Sequence, residues 1–261
     1  MSLKIFFFRV YRYLRYWLLA LDEHSLQSPF LFQLYTQALS PSNLNKITRP
    51  TIEELRKSLL AGRHTIANTY GSGSSLSTSQ RGSIRGIAKF GVSTPKQSEI
   101  LVNLIEWTKA ETVLELGTSL GLNTLYLSEA NTTKEVVTVE GNQELALLSR
   151  LHFESHGASN IDQINDDIDH FLDNDHRRYD LVYIDANHTL DATIRYFRKC
   201  MDLISSEGVI ILDDINWSPD MNRAWNSILE DNKTCIFVEN YEIGIVFVNR
   251  PSEQKHYILR F

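Results

Sequence analysis

The chain has 261 residues, 43% of them hydrophobic, which suits one substantial core and, by length, one domain with an extension rather than two full domains. A formal net charge of −6 leaves no basic footprint, so nucleic acid is not expected as a partner. Two cysteines, Cys200 and Cys235, with no CxxC pair, exclude a disulfide framework and a cysteine zinc site and suggest a reducing, cytoplasmic setting.

The first stretch, FFFRVYRYLRYWLLAL, is interrupted by Arg9, Arg12 and Arg15, and no small-residue cleavage site follows Leu21. Neither a signal peptide nor a membrane span is expected. At 100° per residue, Phe6, Phe7, Val10, Tyr13, Leu14, Trp17 and Leu21 share one side, and Lys4, Arg9, Arg12 and Arg15 the other. The expectation is an amphipathic helix docked by its apolar side on the domain or on a second subunit, so that a homodimer is open. A membrane surface is the less favoured partner.

Ser28 before Pro29 caps a second helix running to Leu39, and His24 just ahead reads as a cap or packing residue. Thr51 with Glu54 three residues later predicts a third helix ending near Gly62. The Gly/Ser-rich stretch Tyr70 to Ser83 lacks the Gly-Lys-Ser/Thr ending of a phosphate-binding loop. A lid and a plain linker are both open for it, with Arg81, Arg85 and Lys89 as candidate contacts to an acidic group. Thr94-Pro95-Lys96-Gln97 opens a helix with Ile100, Leu101, Leu104 and Ile105 inward. Residues 1–93 thus read as a helical extension with its loop, and 94–261 as the main domain.

From Thr112 onward strands and helices alternate. Strands are predicted at Thr112 to Leu116, Glu135 to Glu140, Asn160 to Asn165, Tyr179 to Asp185 and Gly208 to Asp213, with helices between them. That alternation implies a parallel sheet covered on both faces. Thr234 to Val238 and Ile243 to Val248 are separated by only a short turn, so they form an antiparallel pair.

The densest signal is TVLELGTSLGLNTL, a strand, a glycine turn and a helix start. Gly117 allows a tight turn and close approach of a ligand to the backbone. The spacing Gly117-x-x-x-Gly121 departs from the GxGxxG dinucleotide fingerprint. In this motif the sequence resembles class I S-adenosylmethionine-dependent methyltransferases, and ELGTSLGLNT is similar to the catechol and caffeoyl-CoA type of small-molecule O-methyltransferase. The resemblance covers roughly Pro95 to the C-terminus. Residues His24 to Phe30 also resemble an HxxHSPF signature of a bacterial methyltransferase group, with Gln27 in place of the second histidine.

The resemblance implies a Rossmann-like, seven-stranded, mostly parallel α/β sheet with one antiparallel strand. It also implies S-adenosylmethionine as cofactor and a small-molecule acceptor. Glu115 would hold the methionyl end of the cofactor, with backbone N–H groups of Thr118, Ser119 and Gly121 after Gly117 meeting its carboxylate. Glu140, at the end of the second strand, suits the ribose hydroxyls, and Asp166 or Asp167 the adenine amino group.

Asp185, Asp213 and Asp214 end the fourth and fifth strands, which lie side by side in such a sheet. Three converging hard oxygens would suit Mg²⁺. His188 follows Asp185 by three residues, where the catechol-type enzymes have a lysine, and is read as the general base beside Asp185. Trp217 is a candidate acceptor-pocket wall, whereas Met221 and Trp225 read as core. The expected activity is O-methylation, with Mg²⁺ assistance. The alternatives are metal-independent N- or C-methylation, and a non-catalytic nucleotide-binding scaffold acting through its N-terminal helices.

Overall fold

The computed structural model describes residues 3–43, 49–62, 65, 83–231, 235–250 and 255–261. The N-terminal part holds α1 (Leu3–Leu19), α2 (Pro29–Leu34) continued by a π turn at Tyr35–Leu39, α3 (Pro50–Ala61), α4 (Ile84–Phe90) and α5 (Pro95–Thr108). Then come β1 (Thr112–Leu116), α6 (Leu122–Ser128), β2 (Glu135–Val139), α7 (Gln143–His156), β3 (Ile161–Ile164), α8 (Ile168–Asn174), β4 (Tyr179–Ile184), α9 (Leu190–Leu203) and β5 (Ile204–Leu212). The chain finishes with α10 (Pro219–Asp231), β6 (Ile236–Glu239), β7 (Gly244–Phe247) and β8 (His256–Ile258).

Local chemistry explains the helix starts. Thr94 and Gln97 close a full capping box on α5, with Pro95 in the first turn. Asn142 accepts from Glu144 and Leu145 backbone N–H groups at the head of α7. The expected box at Thr51 is not used: α3 starts two residues earlier, with Arg49 as N-cap, because Pro50 fits the first helical position. Residues 70–82, including Arg81, lie outside those described.

The strands form one sheet in the order β3-β2-β1-β4-β5-β7-β6-β8. β1 to β5 pair in parallel, β7 runs antiparallel to both β5 and β6, and β8 joins β6 in parallel. Among the described residues one strand is therefore reversed, as expected, but the sheet has eight strands rather than seven. The addition, β8, is a three-residue edge strand with no alternation of its own for a sequence pattern to reveal.

Side-chain parity sorts the two faces. Val113, Leu181, Tyr183, Val209 and Ile211 pack toward α5, α6 and the N-terminal helices, where Leu34, Ala38, Leu104 and Ile105 are fully buried. Leu114, Leu116, Val182, Ile184, Ile210 and Leu212 pack on the opposite face with Phe197, Cys200 and Trp225. Each fully buried leucine or isoleucine contributes about 1.5–3 kcal/mol of transfer free energy. The extension is laced onto the far end of the chain: the Leu21 N–H donates to the Ile258 carbonyl, and the Arg260 N–H to that of Leu21.

The orientation of α1 overturns the expectation that its apolar side docks on the domain. None of its residues is buried, and its arginine side, not its apolar side, faces the domain. Arg9 Nε donates to the Trp217 carbonyl at 2.8 Å, with its guanidinium 3.6 Å from the centre of the Trp217 ring. Arg12 Nε donates to Asn216 Oδ1 at 2.7 Å. Tyr13 and Tyr16 pack against Tyr241. Polar partners on the loop after β5 thus outcompete apolar burial for this helix.

Candidate active site

Main-chain hydrogen bonds carry the parallel ladder one residue past each strand. Glu140 N–H donates to Ile164, Gly117 to Val139, Asp185 to Leu116 and Asp213 to Ile184, each at 3.0 Å. The first residues after β2, β1, β4 and β5 are thereby set in a row at the carboxyl edge of the sheet, where open α/β folds bind ligands.

The two glycines of the β1 turn are required by packing. Gly117 has φ +105°, and a Cβ there would lie 2.1 Å from the Asp185 carbonyl oxygen. Gly121 has φ +75°, and a Cβ would meet the Phe153 ring of α7 at 2.5 Å. Ser119 between them also has positive φ, 51°. Its N–H donates to Glu140 Oε2 at 2.8 Å, while Asn142 N–H donates to Oε1 at 2.8 Å. Burial holds the Glu140 carboxyl above its ordinary pKa, against those two bonds. No ion pair to Glu140 occurs among the described residues.

Glu115 corrects the expectation of cofactor contact. Its carboxylate is completely buried and points under the turn. It accepts from Asn123 Nδ2 at 3.0 Å, Thr124 Oγ1 at 2.5 Å and Thr138 Oγ1 at 2.7 Å. Burial raises its pKa to about 7, with the three donors pulling the other way. It braces β1 to α6 and β2 instead of facing the ligand edge. The Thr118 side chain also turns inward, onto Thr138 at 2.6 Å. Asp167 is the N-cap of α8, accepting from Asp169 and His170 N–H groups. Asp166 pairs with His170 Nδ1 at 2.5 Å, which lowers its pKa. Both candidate adenine acids thus have local partners.

At the neighbouring edge, His188 is mostly buried between two carboxylates, its Nε2 lying 3.3 Å from Asp185 Oδ1 and 3.6 Å from Asp214 Oδ2. Burial alone would lower its pKa, but the Asp185 contact and the charges of Asp214 and Asp213 outweigh it, and the net shift is upward. That upward shift favours the charged ring, which suits the neutral base expected from the sequence less well. Asp214 has φ 55°, a left-handed conformation that Asp tolerates better than most residues. Asp213 turns away: its Oδ2 accepts from Tyr183 Oη and its Oδ1 from the Asp214 N–H. Burial and the neighbouring carboxylates raise its pKa well above the ordinary value.

The predicted Mg²⁺ site at Asp185, Asp213 and Asp214 is therefore corrected. Asp213 is inward and bonded to Tyr183, and the His188 ring lies between the other two acids. A hard cation needs six or so oxygens there. Among the described residues no group of three or more His, Cys, Asp or Glu is arranged to hold a metal ion. Trp217 is covered by Arg9, while Met221 and Trp225 are core, as expected. Sequence reasoning missed Tyr183 and Ser93, which chain to Asp213 through Ser93 Oγ and Tyr183 Oη at 3.2 Å. The one available signal was a tyrosine two residues before Asp185 on the same face.

A family model described as a methyltransferase domain matches residues 114–215, from β1 to just past Asp214. Residues 114–215 are thus similar to a methyltransferase domain. That stretch contains the candidate residues from Glu115 to Asp214 and leaves out Trp217. The O-methyltransferase hkm8 of Aspergillus hancockii is 31% identical over 144 residues, 52% of this chain and 56% of that protein. The chain thus spans about half the length of that curated relative. Among solved structures, an O-methyltransferase from Bacillus cereus in complex with SAH superposes with TM-score 0.56 at 17% identity, over 82% of this chain and 99% of that one. The O-methyltransferase TomG of Streptomyces achromogenes, in complex with SAM, gives TM-score 0.52 at 17% identity, over 60% and 82%. At such identity the likeness is one of fold, and the methyltransferase fold is what the sheet order displays.

Proposed function

We propose that the chain is an S-adenosylmethionine-dependent methyltransferase that methylates a hydroxyl of a small molecule. The observation that carries this reading is the Asp185–His188–Asp214 cluster, one strand away from the Gly117 turn at the edge of a methyltransferase domain. The bound cofactor supplies an electrophilic methyl on a sulfonium. Glu140 fits its ribose, being a carboxylate that among the described residues is bonded to two main-chain N–H groups, which two hydroxyls can replace. The cluster serves the acceptor. With the cofactor bound, transfer of its methyl to the acceptor hydroxyl would leave the bonding electrons on sulfur and release the hydroxyl proton, which a cluster carboxylate is placed to take. Asp214, whose pKa burial raises, is the better-matched acceptor at neutral pH. His188 holds its charge between the two acids and keeps both oriented. No step needs a metal.

Calorimetric titration with S-adenosylhomocysteine in EDTA tests the reading. Wild type should bind, Glu140→Ala should bind about tenfold or more weakly, and His188→Asn should bind as wild type while losing turnover on hydroxylated acceptors. Absence of cofactor binding would refute the assignment and promote the scaffold alternative. Binding or turnover that appears only with Mg²⁺ would refute the metal-free site.

A further inference from the structure

The outward arc of α1 is made of Leu3, Phe6, Phe7, Val10, Tyr11, Tyr13, Leu14, Trp17 and Leu18, every one at least 40% exposed, with Tyr13 at the edge of the arc also touching Tyr241. It spans about 160° of the helix circumference with no charge inside it. Five of its residues are aromatic, and the exposed area is on the order of 1,000 Å², above the few hundred usual for the largest patch on a monomer. The helix is not loosely attached: Arg9 and Arg12 pin it to Trp217 and Asn216 and so fix which side faces away.

We propose that this arc is a docking surface for an anionic lipid bilayer, with α1 lying in the plane of the headgroups. Charge selects this occupant. α1 contains no acid. Lys4 and Arg15 fall at neighbouring angles along one rim of the arc, beside Tyr11, where they would reach phosphates while the aromatic rings enter the acyl boundary. A second copy of α1 packed antiparallel on the first would lay this cationic rim against its own like, with no carboxylate on either helix to offset it. The helix lies on the membrane and does not cross it, since among the described residues no helix is long and apolar enough to span.

The test is co-sedimentation of the full chain with vesicles of phosphatidylcholine and phosphatidylglycerol at roughly 7:3, and with pure phosphatidylcholine. Wild type should sediment with the anionic vesicles and weakly with the neutral ones. Lys4→Ala with Arg15→Ala should weaken anionic binding by roughly tenfold or more. Phe7→Asp with Leu14→Asp should abolish binding to both at an unchanged melting temperature, since both side chains point away from the domain. Absence of wild-type binding to anionic vesicles would overturn the proposal. So would undiminished binding by the aspartate variant, or a wild-type dimer in light scattering that this variant converts to monomer. Vesicle binding without S-adenosylhomocysteine binding would support the lipid surface and sink only the catalytic reading.

Discussion

Replacing Glu115 with glutamine tests whether this acid is a buried brace. Its folded pKa is about 7 against an ordinary 4.5. Between those values the folded protein keeps a proton that the unfolded chain has released. Stability therefore falls as pH rises through that window, and the full cost is present above it. Integrated from about pH 5 to about pH 8, this one group removes about 2.5 kcal/mol. The amide would keep the shape without titrating, and its altered bonding to Thr124 and Thr138 adds an offset independent of pH. Urea unfolding followed by tryptophan fluorescence, using the four tryptophans, should show the wild-type-minus-variant difference moving by about 2.5 kcal/mol in favour of Glu115→Gln from about pH 5 to about pH 8. The affinity for S-adenosylhomocysteine should stay near the wild-type value. Parallel stability curves, or a large loss of cofactor affinity, would refute the buried brace and return Glu115 to the ligand edge.

Gly117→Ala forces a Cβ to 2.1 Å from the Asp185 carbonyl at positive φ, and should cost about 3 kcal/mol or more, lowering the melting temperature by roughly 6 °C in calorimetry. Arg49 is buried and bridges Glu99 and Glu129 at 2.5 and 2.9 Å. Arg49→Met should therefore destabilise by about 3–5 kcal/mol in urea, with part of the loss recovered when Glu99→Gln is added. Tyr183→Phe removes the hydroxyl that donates to buried Asp213, and should cost about 1–3 kcal/mol by the same measurement while leaving cofactor affinity unchanged.

Regular alternation was legible, because strand parity and helix caps are local. The reversed β7 could be read from the short connection after β6. What could not be read depended on partners far along the chain. The apolar stripe on α1 is visible in the sequence, yet its direction is decided by the Trp217 carbonyl and Asn216, more than 200 residues away. Glu115 sits in a strand covered on both faces, so its place beside the glycine turn suggested a ligand when its donors lay at Asn123, Thr124 and Thr138. The acids after β4 and β5 were found, but not how they divide: a tyrosine hydroxyl claims Asp213, and a histidine bridges Asp185 and Asp214.

The contact between Gly117 and the carbonyl of Asp185 has a consequence for how such a chain can diverge. Methyl donor and proton acceptor, in the reading given above, are served by two turns whose backbones touch with no room for even a methyl group between them. Their spacing is inherited from the main chain and is out of reach of ordinary side-chain replacement. Side-chain replacement can alter what surrounds this joint, while the joint itself stays the same.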